Sequence, residues 1–204
     1  MKLPKRIKEI KFLNLLIIVC SLIFAFLILF VSILKSSVSQ RDFSSLISDQ
    51  PSVLKEELGE YFLVNPGILP DHFLYPLKMI RDRLKIIFTF DSLKKAQLYL
   101  LYADKRLAAG KALVEKGKIK LGISTLSKGE KYLEKAFLEQ KIAKKEGKNT
   151  DKFLKKLYLA SQKHKEVLLE IFSLIESGEE KNSLKSLLDY PETIIKEIDK
   201  ELNF

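Results

Sequence analysis

The sequence predicts an all-α protein: a single N-terminal transmembrane helix, followed by an extracytoplasmic helical bundle with a long antiparallel αα-hairpin. Three observations carry this expectation. From Phe12 to Leu34 the chain reads FLNLLIIVCSLIFAFLILFVSIL, without one charged side chain. At about 1.5 Å per helical residue it reaches about 34 Å, enough for a hydrocarbon core of about 30 Å. The 204 residues include only 8 Gly, 6 Pro and no Trp, while Lys, Leu, Ile and Glu dominate, a composition of long helices and not of hairpin-rich sheets. Beyond residue 70, apolar residues recur at intervals of three and four, with small residues at every seventh place in two of the helices.

The charge distribution orients the apolar segment. The chain carries a formal net charge of +10, yet Lys2, Lys5, Arg6, Lys8 and Lys11 crowd its start against Glu9 alone. Only Lys35 and Arg41 follow the segment closely. The positive-inside rule then places residues 1–11 in the cytoplasm as a basic flank, 12–34 in the bilayer, 35–60 outside as a juxtamembrane linker with a short helix, and 61–204 outside as the helical domain. A cleavable signal peptide is the rival reading and would give a secreted protein. The apolar run is longer than a signal core of about 7 to 15 residues, and no A-x-A site follows, although Ser37 and Ser39 give a weaker small-x-small site. The single Cys20 lies in mid-span. It forms no intramolecular disulfide, and Val19 before it is not the small residue of a lipoprotein cleavage site.

The elements follow in order. Pro51 and Ser52 open the short linker helix that Gly59 closes, and an extended piece runs from Tyr61 to Pro70. Pro66-Gly67 suits the two central positions of a type II turn, and each proline drives the residue before it out of αR. Either Asp71 caps the next helix or Pro76 occupies its first turn, where a missing N–H costs nothing. Phe73, Leu77, Ile80, Leu84 and Ile87 share one side of that helix and Lys78, Arg81, Asp82, Arg83 and Lys85 surround them, so it is amphipathic. Asp91 and Ser92 suit the N-cap of a second helix that Gly117 stops. A third runs to Gly147, and a fourth opens at Asn149 or Thr150 and stops near Gly178. A short fifth carries Leu184, Leu187 and Leu188, and Pro191 starts a last helix bearing Ile194, Ile195, Ile198 and Leu202.

The hairpin is the sharpest pattern. Leu93, Ala96, Leu100, Ala103, Leu107, Gly110 and Val114 follow heptad spacing, and so do Gly122, Leu126, Gly129, Leu133, Ala136, Gln140 and Ala143. Small residues at every second member let two backbones approach closely. Ala96, Ala103 and Gly110 are expected to face Gly122, Gly129 and Ala136. Phe153, Leu157, Ala160, His164, Val167, Ile171 and Leu174 form the face of the fourth helix that covers the pair. Pro66, Pro70 and Pro76 hold a strap that packs Leu69 and Tyr75 against the bundle.

The strap and second helix resemble a bacterial family catalogued as domain of unknown function 5667. The resemblance lies in an LP-D-x-x-x-YPLK segment, here Leu69, Pro70, Asp71, Tyr75, Pro76, Leu77 and Lys78. It continues in DSLKKAQLYLLYADKRLAAGKALVEKG, where Asp91, Lys95, Ala96, Leu98, Ala103, Arg106 and Leu107 correspond, and spans roughly Pro66 to Gly147. It implies a membrane helix upstream and no known activity.

Catalytic chemistry has no evident constellation in the sequence, neither a nucleophile with a base, nor a metal-ligand cluster, nor a phosphate loop. We expect no enzyme, no cofactor, no metal site, no small-molecule substrate and no nucleic-acid partner. His164, on an apolar face, reads as a hydrogen-bonded core histidine and His72 as a cap-region residue. Glu130 and Glu134, one turn apart, read as a solvated face. Lys141, Lys144, Lys145, Lys148, Lys152, Lys155 and Lys156, with Lys163 and Lys165, concentrate positive charge around Gly147 against Glu146 and Asp151, a candidate contact for polyanions. The expected partners are the lipid bilayer and another envelope protein. The function that fits is a membrane-tethered helical interaction module, a scaffold, sensor or envelope-stress adaptor. The alternatives are a polyanion binder through the lysines and, less favoured, an envelope hydrolase.

Overall fold

The computed structural model describes residues 17–22, 24–25, 28, 61–176 and 178–202. The described residues up to 28 are helical and exposed and fall in one compact unit, Met1–Val53; all the others fall in a second, Leu54–Phe204. The rest of the expected transmembrane segment Phe12–Leu34, the basic flank and the linker with its short helix lie outside the described residues. Among the described residues, no helix is long and apolar enough to cross a membrane.

The second unit is all-α. Six helices follow one another: α1 (Tyr75–Ile87), α2 (Ser92–Glu115), α3 (Ile119–Lys145), α4 (Asp151–Leu174), α5 (Glu179–Leu187) and α6 (Asp189–Leu202). Their ends are set by local chemistry. The Asp91 carboxylate accepts from Lys94 N at 2.8 Å and caps α2. Two helices end in the same way. Gly117, at φ 75°, sends its N–H to Val114 O while Lys118 N reaches back to Leu113 O; Gly147, at φ 80°, repeats the pattern with Lys144 O and Ala143 O through Lys148 N. This left-handed Schellman turn is open to glycine without a Cβ penalty, and it reverses the chain. The last helix starts two residues before Pro191, which sits in its first turn.

The α2–α3 hairpin has the expected register. A Cβ on Gly122 would lie 3.0 Å from Gly110 O, and one on Gly129 would lie 3.3 Å from Ala103 O and Leu107 N. Ala96 and Ala136 are both fully buried in one core cluster at the far end of this seam. The helix α4 covers the pair with Phe153, Leu157, Ala160, His164, Val167 and Ile171 buried. Leu174 is a correction: it is exposed, because α4 stops there and the chain turns extended, so that Ile175 enters the core instead. Ile194 and Ile198 of α6 close the cluster around Leu133, Leu157 and Ala160.

The strap is ordered. Gly67 adopts φ 64°, a left-handed conformation open to glycine, and its N–H bonds Asn65 Oδ1 at 2.9 Å. Asp71 does not cap α1; its carboxylate pairs with Lys118 at 2.8 Å, and Pro76 occupies the first helical turn. The ammonium of Lys78 donates to Pro66 O at 2.8 Å and Ile68 O at 3.0 Å and clasps the turn to the helix.

Candidate functional site

Two features stand out, a charge cluster inside the bundle and an apolar face outside it. The first follows from the hairpin register. Bringing Ala103 against Gly129 sets the next residues, Asp104 and Glu130, at one level of the seam. His164 reaches that level from α4. Its Nδ1 lies 2.9 Å from Glu130 Oε1 and its Nε2 3.1 Å from Asp104 Oδ1. Both ring nitrogens face carboxylate oxygens, which accept only, so both carry protons and the ring is an imidazolium. Burial alone would depress its pKa; the charges and hydrogen bonds of Glu130 and Asp104 outweigh that and push it up to about 9. From the strap, Tyr61 Oη donates to Asp104 Oδ2 at 2.7 Å, and Glu130 Oε2 is buried without a hydrogen-bond partner.

This corrects one expectation and bears out another. Glu130 is fully buried and not on a solvated face, whereas Glu134 is exposed. His164 is a hydrogen-bonded core histidine. A histidine on an apolar face needs acceptors, and the carboxylates nearest the close contact at Ala103 and Gly129 were the sequence signal for them. The cluster can store charge and fix register, but all three side chains are sealed from solvent. Among the described residues, no group of three or more His, Cys, Asp or Glu is placed to hold a metal ion.

A second polar seam joins α1 to α2. Tyr75, Lys78, Met79 and Asp82 line a narrow cleft with Tyr102, Lys105 and Arg106. Asp82 is 4% exposed and takes two bonds from Arg81, at 2.8 and 3.1 Å. Burial and the Asp82 charge raise the Tyr102 phenol, and burial lowers the Lys78 and Lys105 ammonium groups. Arg106 lies 4.1 Å above the Tyr132 ring. Most of the signature residues thus serve packing. Tyr75, Lys78 and Arg106 meet at this seam, Asp91 caps, Ala103 and Leu107 fill the hairpin, Leu69 and Pro70 are half-buried, and Leu77 is exposed.

The amphipathic helix therefore faces the unexpected way. Its polar side packs inward, and the predicted apolar side points to solvent: Phe73 is 82% exposed, Leu77 67%, and Ile80 and Ile87 are also exposed, with Leu84 half-buried. Phe88, 56% exposed, and Phe90, 88% exposed, extend the patch into the α1–α2 connection, and Ile68 and Leu74 border it at the strap. The sequence showed the stripe but not its direction, because the buried Asp82 is unreadable from periodicity.

The lysines near Gly147 are partly matched by acids. Lys141 pairs with Glu197 at 3.1 Å, Lys144 with Glu201, and Lys148 with Asp91 and Glu146 at 2.9 and 2.8 Å. Lys163 and Lys165 meet Glu166 and Glu192. Lys145, Lys152 and Lys155 are exposed and Lys156 is half-buried. Pairing leaves less of this charge for a polyanion than the bare run of lysines implies.

No curated protein and no solved structure matches this chain. One family profile does, over residues 67–158, from the strap turn to the middle of α4 and across every signature residue named above. That segment of the chain belongs to the family described as Domain of unknown function (DUF5667).

Proposed function

We propose that this chain is a membrane-tethered interaction module, with the segment 12–34 as its uncleaved anchor and the helical domain outside the cytoplasm, and that it does no catalysis. The observation that carries the reading is the outward apolar face of α1. A helix that turns Asp82 and Lys78 inward and Leu77 and Ile80 outward has its apolar surface free for a second body, and exposed contiguous apolar patches mark interaction sites. The one acid–base constellation described, at His164, is closed to any substrate, which supports a structural role for it. The basic flank before the apolar segment supports the topology. The test is protease treatment of intact spheroplasts carrying the full chain with a C-terminal tag. The expected result is a membrane-fraction protein whose tag is destroyed from outside. A protected tag would overturn the topology, and a mature N-terminus near residue 40 would replace the anchor with a cleaved signal peptide.

A further inference from the structure

We infer that the exposed face of α1, with Phe88 and Phe90, seats on the anionic lipid surface of the bilayer to which the chain is tethered. This rests on the tethered reading above and names the partner of that face. The geometry is that of an interfacial helix. Around α1 the buried Asp82 and the half-buried Tyr75, Lys78, Met79 and Ile86 occupy one side, and the exposed Leu77, Ile80, Ile87 and Phe88, with the half-buried Leu84, the opposite side. Helical periodicity places Arg81 and Lys85 along one border of the apolar stripe and Arg83 along the other. All three are exposed.

Charge selects the occupant. Asp82 is the one carboxylate in Tyr75–Ile87, and it is buried against Arg81. The preceding acid, Asp71, is spent on Lys118. Arg83 and Lys85 therefore frame the apolar stripe with positive charge, beside an Arg81 that is paired with Asp82, and this complements lipid phosphates, while the stripe's aromatic and aliphatic side chains suit the headgroup–acyl boundary. A second copy is a poor occupant. A two-fold pairing of this face with itself sets Arg81, Arg83 and Lys85 against the same residues, all of one sign. The connecting residues strengthen the lipid reading: Phe88 and Phe90 are exposed beyond the helix end, and the acid that follows them, Asp91, is paired with Lys148.

The experiment uses the full chain reconstituted in vesicles. In a Cys20→Ser background, Leu77→Cys, Phe90→Cys and, as control, Ser183→Cys each carry an environment-sensitive fluorophore. Ser183 lies exposed on α5, which packs on α3 and α4. Vesicles contain phosphatidylcholine alone or with phosphatidylglycerol, with nitroxide-bearing lipids as quenchers. The expected result is quenching at Leu77 and Phe90 in anionic vesicles, strongest from a nitroxide near the headgroup end, since such helices sit about 5–10 Å deep. The Ser183 label stays unquenched. Arg83→Gln with Lys85→Gln leaves the Arg81–Asp82 pair intact and lowers surface attachment by about thirtyfold, at about fivefold per basic residue. Unquenched labels at both sites, in chains that still float with the vesicles, would overturn the inference. Cross-linked dimers through Leu77→Cys, or a label shielded whatever the lipid, would overturn it in favour of a second copy or of this chain's residues 35–60. Failure to float with neutral vesicles would instead refute the anchor, and quenching in anionic vesicles would then still support the lipid face.

Discussion

Replacing His164 tests the buried cluster through its pH dependence. The folded-state pKa is raised from 6.5 to about 9. Between those values the folded chain binds a proton that the unfolded chain has lost, so the contribution is fully present below pH 6.5 and disappears as pH rises through 9. At about 1.4 kcal/mol per unit the cluster contributes about 3 kcal/mol on the acid side. His164 is fully buried, so no solvent screening discounts that figure. His164→Gln removes the cation and leaves Asp104 and Glu130 uncompensated, a loss of about 3–5 kcal/mol for a broken buried pair. The assay is denaturant unfolding of the micelle-solubilised chain, both proteins compared across the range so that surface Lys and Tyr titrations cancel. The gap between them should narrow by about 3 kcal/mol from below pH 6.5 to above pH 9. Glu130→Gln added to His164→Gln should recover part of the loss, because it removes one of the two buried charges left uncompensated. A gap independent of pH, or one under about 1 kcal/mol below pH 6.5, would refute an imidazolium held between two carboxylates.

The other predictions concern packing. Gly122→Ala places a Cβ 2.6 Å from Val114 Cγ2 and 3.0 Å from Gly110 O; overpacking costs about 1–3 kcal/mol against about 1 gained in helix propensity, so its melting temperature should fall. Gly129→Leu should fall further, and a rise would mean that the hairpin seam is not a close contact. Lys78→Met cuts two charged hydrogen bonds to the strap and should cost about 2 kcal/mol, read as faster amide exchange at residues 63–70; unchanged exchange would mean that the clasp is incidental. Pro70→Ala with Pro76→Ala should cost about 1–2 kcal/mol, chiefly through a more flexible unfolded chain, and no loss in thermal stability would reduce the strap to a linker.

Much of the bundle was legible because its information is local and periodic. Gly117 and Gly147 stop helices where the heptads stop, Asp91 caps where the sequence puts it, and the small residues of α2 and α3 fix their own register. What escaped the reading was relational. Glu130 and Glu134 are chemically alike, and only the position of His164 on a third helix separates the buried one from the solvated one. The direction of α1 escaped for the same reason, since Asp82 is buried by Arg81 and Tyr102 from outside the stripe being read. Asp71 went to Lys118 instead of a cap because Gly117 brings that lysine to the strap, a contact 47 positions apart.

The family match ends at Tyr158, yet the ring that bridges Asp104 and Glu130 stands at residue 164, and Ile194 and Ile198 seal the core from farther still. The matched segment taken alone would hold two carboxylates facing an absent cation and a wall of leucines open to water. Sequence similarity and physical autonomy therefore draw different borders in this molecule. A fragment cut at the similarity border should be recovered aggregated or unfolded, while one carried through Leu202 keeps the ring and the seal in the same polypeptide.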